Sequence, residues 1–362
     1  MKKVLRVGSY PTSQYKSMGM NSYMISGMDS VKTHFVTPKY SGTLFPEPLN
    51  TFVISLPFLV TPAPKGIKRI YHEFIRILKI LTFSLRTLII FIKEKHDIVH
   101  IHSPMFFLIA LICRIFGARC YITFHGNEHE FIYRNRFIGK IFNKVFFKTF
   151  ALSSNISSYG NLYPDYVKNY EVINNAIDTD IFFNRKIIRK KMILAVGRLE
   201  KQKDYPTLLK SFKIFLKKNS NYELVIVGSG QEKEKLNELI KEYDIVNSVT
   251  LLGHLDHDAL PEIYNNADIF VLCSLWEGFP KVLLEAMASG CKVVATRVDS
   301  IPRVLGKNYP YLTSPGNFED LSIKLQLILK ENEGFRSSYS KIIENYSWDK
   351  TKMIMENHYN SS

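Results

Sequence analysis

Two glutamates, Glu277 and Glu285, stand with seven residues between them in the stretch LWEGFPKVLLEAM at 275–287. A pair of carboxylates is the raw material of acid-base chemistry or of hydroxyl binding. Their surroundings differ. Glu277 precedes a Gly-Phe-Pro breaker, and Pro280 suits the first turn of a helix because it has no N–H to leave unpaired. Glu277 is therefore expected at the mouth of a helix, with Gly278 and Phe279 exposing backbone donors beside it. Glu285 falls further along that helix, among Leu283, Leu284, Ala286 and Met287. A carboxylate with such neighbours is costly unless paired or hydrogen-bonded. Ligand hydroxyls would serve; a plain solvated helix position is the alternative for one isolated glutamate.

Cations appear in the stretch GRLEKQKDYPTLLKSF, from Gly197 onward. Gly197 allows close backbone approach, and Arg198 and Lys203 follow before the next helix. Two cations between a strand end and a helix start form an anion site, unless they are simply a basic loop in water. In GSGQEKEKL, Gly228 and Gly230 open a helix. They fit a nucleotide loop or a tight turn equally well. The spacing is not G-x-G-x-x-G, because position 233 is Lys, and no acidic ribose partner follows, so a dinucleotide reading is weak.

Histidines mark two further loops. His125 directly follows a strand-like run in TFHGNEHE, and His100 and His102 share one side of a strand in VHIHSP. Nothing at metal spacing accompanies that pair, so packing or hydrogen bonding is expected and no metal site. Asp178-Thr179-Asp180 reads D-x-D, a metal-diphosphate motif of another fold, but it falls in an Asn/Asp-rich linker and is taken as structural. Asp256-His257-Asp258 reads as a loop and helix cap.

The elements that must position these residues alternate. Strands are expected at 192–196, 223–227, 249–252, 268–273 and 292–296, and helices at 205–218, 232–243, 258–265 and 280–289. Unalternating β-branched strands between amphipathic helices mean a parallel sheet covered on both faces. The N-terminal half repeats the pattern, with strands at 4–8, 50–56, 97–102, 120–124 and 149–153 and helices at 67–93, 105–116 and 131–148. With 362 residues, two doubly wound domains fit, 1–173 and 174–345, followed by a C-terminal helix and tail at 346–362 expected to return to the first domain. Ligands of such sheets bind beyond the carboxyl ends of the strands, and two facing domains would make a central cleft.

Composition narrows the partners. Four cysteines in apolar runs without C-x-x-C spacing read as buried thiols of a reducing compartment. No apolar run reaches membrane-spanning length, so a cytoplasmic protein is expected. The net charge of +15 is uneven: residues 1–176 carry 22 Lys+Arg against 9 Asp+Glu, and the remainder 26 against 24. The first half faces something anionic. No nucleic-acid recognition motif accompanies the charge, so no nucleic-acid partner is expected. Arg136, Lys140, Lys144 and Lys148 recur every fourth residue and would form one basic stripe on a helix. A core-packed helix with a solvated edge and a surface docked on the anionic inner membrane both fit.

The loops, in this order, resemble the retaining GT-B glycosyltransferases of family 4. The matching pieces are VGRLEKQKDYPTLLKSF, VIVGSG, CSLWEGFPKVLLEAMASGCKVVAT, VINNAIDTDIF and the terminal YSWDK; the E-x7-E spacing is the most specific. The resemblance implies a sugar moved from a nucleotide-sugar donor, UDP- or GDP-linked, to a saccharide or lipid-linked acceptor, with retained configuration, without a metal or other cofactor, in surface-polysaccharide synthesis. Arg198 and Lys203 would hold the donor diphosphate, Glu285 the ribose, and Glu277 the donor sugar with Gly278 and Phe279, with Gly197, Gly228 and Gly230 near the donor. His125 would sit near the reacting carbon, and Gly19 and Asn127 on the acceptor side. The chain departs from the family at Gly19, single where a Gly-Gly pair is usual, and at Ser300 and Arg303, where Gly and Glu are common. Alternatives are a nucleotide-sugar epimerase of the same fold, which would turn over donor without acceptor, and a catalytically silent binding protein. The intact Arg198, Lys203, Glu277 and Glu285 set argues against the latter.

Overall fold

The computed structural model describes residues 1–9, 27–39, 50–56, 68–124, 132, 135–151, 169–332, 335–336 and 338–361. The chain divides into two compact units: the N-terminal part up to Asn174 together with Trp348–Ser362, and Asn175–Ser347.

The first unit is built on a seven-stranded sheet of order β3-β2-β1-β4-β5-β6-β7. Its strands are β1 (Lys2–Val7), β2 (Val31–Pro38), β3 (Thr51–Leu56), β4 (Ile98–Ile101), β5 (Arg119–Phe124), β6 (Lys148–Ala151) and β7 (Tyr170–Val172), and every pairing is parallel. Helices α1 (Lys68–Glu94), α2 (Phe107–Ile115) and α3 (Arg136–Val145) belong to the same unit. Strand β2 was not expected. Its polar Lys32, Thr33, His34 and Thr37 disguise a strand whose residues are nearly all buried.

The helix expected over 131–148 is shorter. Asn135 caps α3, its side chain accepting from Phe137 N and Ile138 N at 3.1 Å. After Val145 the aromatic and β-branched run F-F-K-T-F turns extended and pairs as β6 with β5 and β7. Lys148 therefore leaves the basic stripe. It lies in β6 and forms an ion pair with Glu171 at 2.8 Å. Arg136, Lys140 and Lys144 remain on the exposed side of α3.

The C-terminal helix (Trp348–Asn360) does return to the first unit, along a polar seam. Lys2 Nζ donates to the Tyr359 carbonyl at 2.8 Å, Tyr121 Oη to that of His358 at 2.9 Å, and Arg119 to that of Ser361 at 2.6 Å. Cations and hydroxyls thus satisfy the carbonyls a helix end leaves orphaned. Within the seam, fully buried Arg6 donates to Tyr359 Oη at 2.9 Å, and burial lowers its pKa. His100 bonds Tyr359 Oη and, at 2.7 Å, Thr123 Oγ1, and it stacks on His102. The VHIHSP histidines thus serve packing and hydrogen bonding.

The second unit carries a six-stranded parallel sheet of order β10-β9-β8-β11-β12-β13. Its strands are β8 (Lys190–Val196), β9 (Glu223–Val227), β10 (Val249–Gly253), β11 (Ala267–Leu272), β12 (Lys292–Thr296) and β13 (Leu312–Thr313). Helices α4 (Tyr205–Leu216), α5 (Lys233–Glu242), α6 (Leu260–Asn266), α7 (Lys281–Ala288), α8 (Ile301–Leu305) and α9 (Phe318–Ile328) connect or follow them. Alternate residues of β8 and β11 feed two separate apolar clusters: Leu194 and Phe270 one, Ile193 and Ile269 the other. Both faces of the sheet are covered, which is why its strands read as continuous apolar runs. All four cysteines are buried free thiols, and burial pushes Cys120 and Cys291 up to about 12. Asp178 Oδ1 accepts from Asp180 N at 3.0 Å, so the D-x-D string closes on its own backbone.

Buried His34 and His96 share a hydrogen bond of 2.7 Å in the first unit. Burial, with His34 alongside, holds His96 down at about 4. An unfolded histidine titrates near 6.5. As pH falls from about 6.5 to about 4, the unfolded chain takes up a proton that the folded chain refuses. Stability should therefore drop across that window and flatten, for this group, below it. Denaturant midpoints measured over this range should fall more steeply for the native chain than for His96→Gln; superimposable slopes would refute the assignment.

Candidate active site

Three loops of the second unit meet at the carboxyl ends of β8, β11 and β12. The β8 loop runs through Gly197 and Arg198 into the 3-10 turn Lys201–Lys203, then into α4 through Asp204, whose φ is 47°. Hydrogen bonds stitch this loop to the one after β11. Leu275 N donates to the Gln202 carbonyl at 2.8 Å, Gln202 Nε2 to that of Trp276 at 2.8 Å, and Cys273 Sγ to that of Lys203 at 3.0 Å.

At the centre, Lys203 Nζ donates to Glu277 Oε1 at 2.5 Å, and Ser274 Oγ donates to the same oxygen at 2.6 Å. Both side chains of the ion pair are largely buried, at 13% and 6% exposure. The β12 loop closes the arrangement. Glu277 N donates to Asp299 Oδ2 at 2.6 Å, Ser300 Oγ to the Gly278 carbonyl at 3.0 Å, and Thr296 Oγ1 to that of Ser274 at 2.7 Å. Ser300, one of the departures from the family pattern, is thus a buried tie between the β12 loop and the mouth of α7. Phe279 packs its ring against Tyr346, with centroids 5.7 Å apart.

The glycines serve close packing. A Cβ on Gly197 would come within 3.0 Å of Lys203 Cε, so its absence lets the lysine chain lie flat toward Glu277. A Cβ on Gly228 would stand 1.9 Å from the Gly197 carbonyl oxygen, and one on Gly230 2.3 Å from that of Leu199. Gly228 and Gly230 therefore let the β9 loop pass against the β8 loop. Leu199 N donates to the Ser229 carbonyl at 2.9 Å there. Arg198 lies on the same loop but is exposed, with Nη1 2.7 Å from Glu200.

Glu285 is buried on α7. Its Oε2 accepts from Tyr264 Oη at 3.0 Å, and its Oε1 lies 3.7 Å from His257 Nε2. The neighbouring Glu285 carboxylate raises the His257 pKa against the opposing effect of burial, and burial pushes Tyr264 far up. Burial also brings Lys281 down to about 8, with Glu285 opposing. The His257 ring stands edge-on to Phe182 at 5.1 Å. Sequence reasoning missed His257, Tyr264, Ser274 and Asp299. His257 had a usable signal, since it follows β10 at the carboxyl edge of a parallel sheet; as a cap it fails, because Asp256 makes no side-chain capping bond. His125, Gly19 and Asn127 lie outside the described residues. Among the described residues no cluster of three His, Cys, Asp or Glu is placed to hold a metal.

Two family models match the chain: Glycosyl transferases group 1 over residues 177–346, and Glycosyltransferase Family 4 over residues 29–181. The chain belongs to the family 4 glycosyltransferases. One relative of this chain is the N-acetylgalactosamine-N,N'-diacetylbacillosaminyl-diphospho-undecaprenol 4-alpha-N-acetylgalactosaminyltransferase of Campylobacter jejuni. It is 30% identical over 216 residues, which are 55% of this chain and 57% of that protein. Another, a glycosyltransferase of Methanocaldococcus jannaschii, is 32% identical over 49% of this chain and 47% of its own. The chain thus spans about half the length of the curated relatives it matches. A Rickettsia africae glycosyltransferase superposes with a TM-score of 0.71 at 16% identity, covering 100% of this chain and 99% of that one. Anabaena HepE, solved with UDP, gives 0.70 at 15% identity, covering 100% of both. These likenesses establish the GT-B fold class.

The Lys203–Glu277 pair supplies a stability test. Glu277→Ala leaves a buried ammonium unpaired and should cost about 3 kcal/mol. Adding Lys203→Met should recover part of that loss. Melting of Glu277→Ala at the native temperature would show that the pair does not hold the loops.

Proposed function

We propose that this glycosyltransferase moves a sugar from a UDP- or GDP-linked donor to a saccharide or lipid-linked acceptor, with retained anomeric configuration, in bacterial surface-polysaccharide synthesis. The observation that carries the proposal is the arrangement of Lys203, Glu277 and Glu285. A cation and a carboxylate are held together at the mouth of α7, and a second buried carboxylate lies eight residues along it. Lys203 and Arg198 would bind the diphosphate and neutralise charge as the nucleotide departs. That role needs no metal ion or other cofactor. Glu277 would accept from donor-sugar hydroxyls, with Gly278 and Phe279 at the helix mouth, and Glu285 would accept from the ribose. His125 would act near the reacting carbon, with Gly19 and Asn127 on the acceptor side. His257 and Tyr264 would hold the Glu285 carboxylate in register.

The reading also sets the protein at the cytoplasmic face of the inner membrane, where lipid-carried acceptors are presented. The relative from Campylobacter jejuni is named for an undecaprenol-linked acceptor, and the excess of cations in residues 1–176 agrees with an anionic surface.

A panel of nucleotide sugars tested by thermal shift should yield one that raises the melting temperature, since a ligand bound only to the folded state stabilises it. With that donor, Glu285→Ala should weaken binding at least about tenfold. Arg198→Ala should lower turnover about 100-fold with the fold retained. Wild-type transfer by Arg198→Ala would remove it from the leaving-group site.

A further inference from the structure

Helix α1 presents an apolar face to solvent. Ile77, Leu78, Leu81, Leu85, Ile89 and Ile92 are each 40–63% exposed. At about 100° per residue they share one arc of roughly 120°. The other side is ordinary core, with Phe83, Thr87 and Phe91 buried, and Leu88, near the edge where the arc meets that core, is buried as well. Exposed Arg86 and Lys93 border the apolar arc along one edge, with Lys79 in line, and exposed Lys95 follows the helix end. Among the described side chains of α1, Glu94 is the only carboxylate, and it falls outside the arc.

We infer that this face of α1 docks on a bilayer bearing anionic headgroups and lies in its interface. The charge pattern selects the occupant. An aliphatic band with a basic border matches the boundary between acyl chains and anionic headgroups, and carries no acid that the surface would repel. The helix is 27 residues long, but Lys79, Arg86 and Lys93 interrupt its apolar residues, and no described helix is long and apolar enough to cross a membrane. It therefore lies along the surface. Helix α3 lacks the apolar half of this design: Arg136, Lys140 and Lys144 point outward with Phe137 as its one strongly exposed apolar side chain among the described residues. The membrane-facing element is thus α1 and not the basic stripe of α3. The inference deepens the membrane-surface part of the proposed function and is independent of the transfer chemistry.

The test is co-sedimentation of the full chain with two vesicle types, phosphatidylcholine alone and phosphatidylcholine mixed with phosphatidylglycerol. The chain should pellet with the second and not the first, and added salt should release it. Leu85→Glu with Ile89→Glu should weaken partitioning at least about tenfold. Arg86→Gln with Lys93→Gln should weaken it about 25-fold, roughly fivefold per cation. The thermal shift with a nucleotide sugar should be unchanged in both variants, which separates failed docking from a failed donor site. Equal indifference of the native chain to both vesicles would overturn the inference. So would native-like binding by both variants, or loss of binding on neutralising Arg136, Lys140 and Lys144 instead. A solution dimer that Leu85→Glu with Ile89→Glu dissolves would assign the face to a second copy of the chain and overturn it equally.

Discussion

A buried ion pair between Lys203 and Glu277 organises the second unit at its carboxyl edge. Lys203 ends a single 3-10 turn and Glu277 stands in a loop, and each reaches the other from a different connection. A buried charge is tolerated when its partner and its remaining hydrogen-bonding capacity are supplied nearby. Here Ser274 shares the carboxylate, and the β8 and β11 loops are fastened by three further bonds around it. The glycines follow from the same requirement. Gly197 clears the path of the lysine chain, and Gly228 and Gly230 let a third loop press against that path.

The first unit solves a different polar problem. Its sheet carries Arg6, His100, Tyr121 and Thr123 on adjacent strands β1, β4 and β5. A sheet face with those side chains cannot be covered by an ordinary apolar helix. The C-terminal helix brings Tyr359 to bond Arg6 and His100, and its last carbonyls accept from Lys2, Tyr121 and Arg119. Buried polar networks stabilise when satisfied and penalise heavily when they are not, so this seam ties the end of the chain to one place on the sheet.

What the sequence revealed follows from covering and from locality. Strands β9 and β12 were placed to the residue, because a parallel strand buried on both faces is an unbroken apolar run. Strand β2 escaped because the residues it buries include the polar Thr33 and His34, one on each face. The helix over 131–148 ran too long because a four-residue repeat of cations continues through a local switch to β-structure that tertiary pairing decides. Within the site, the two glutamates and two cations stood out by type and spacing. Most of their partners did not, because Asp299 and Tyr264 become partners only once separate elements converge, and a lone serine three residues before Glu277 carries no mark of its role.

That convergence bears on what the two carboxylates can do. Glu277 is tied to an ammonium and a hydroxyl, while its own N–H donates to Asp299. Glu285 is held by a phenol, with an imidazole beside it. Both carboxylates are thus fixed at one oxygen, in an orientation set by side chains from other loops. A general base or a nucleophile has to swing onto its target or give up its partners. A clamp for hydroxyls needs only an oxygen held where the hydroxyl will be. Fixation of this kind suits the recognition of two ends of one extended ligand, and under the proposed function the bond-breaking step would fall to Arg198 and Lys203.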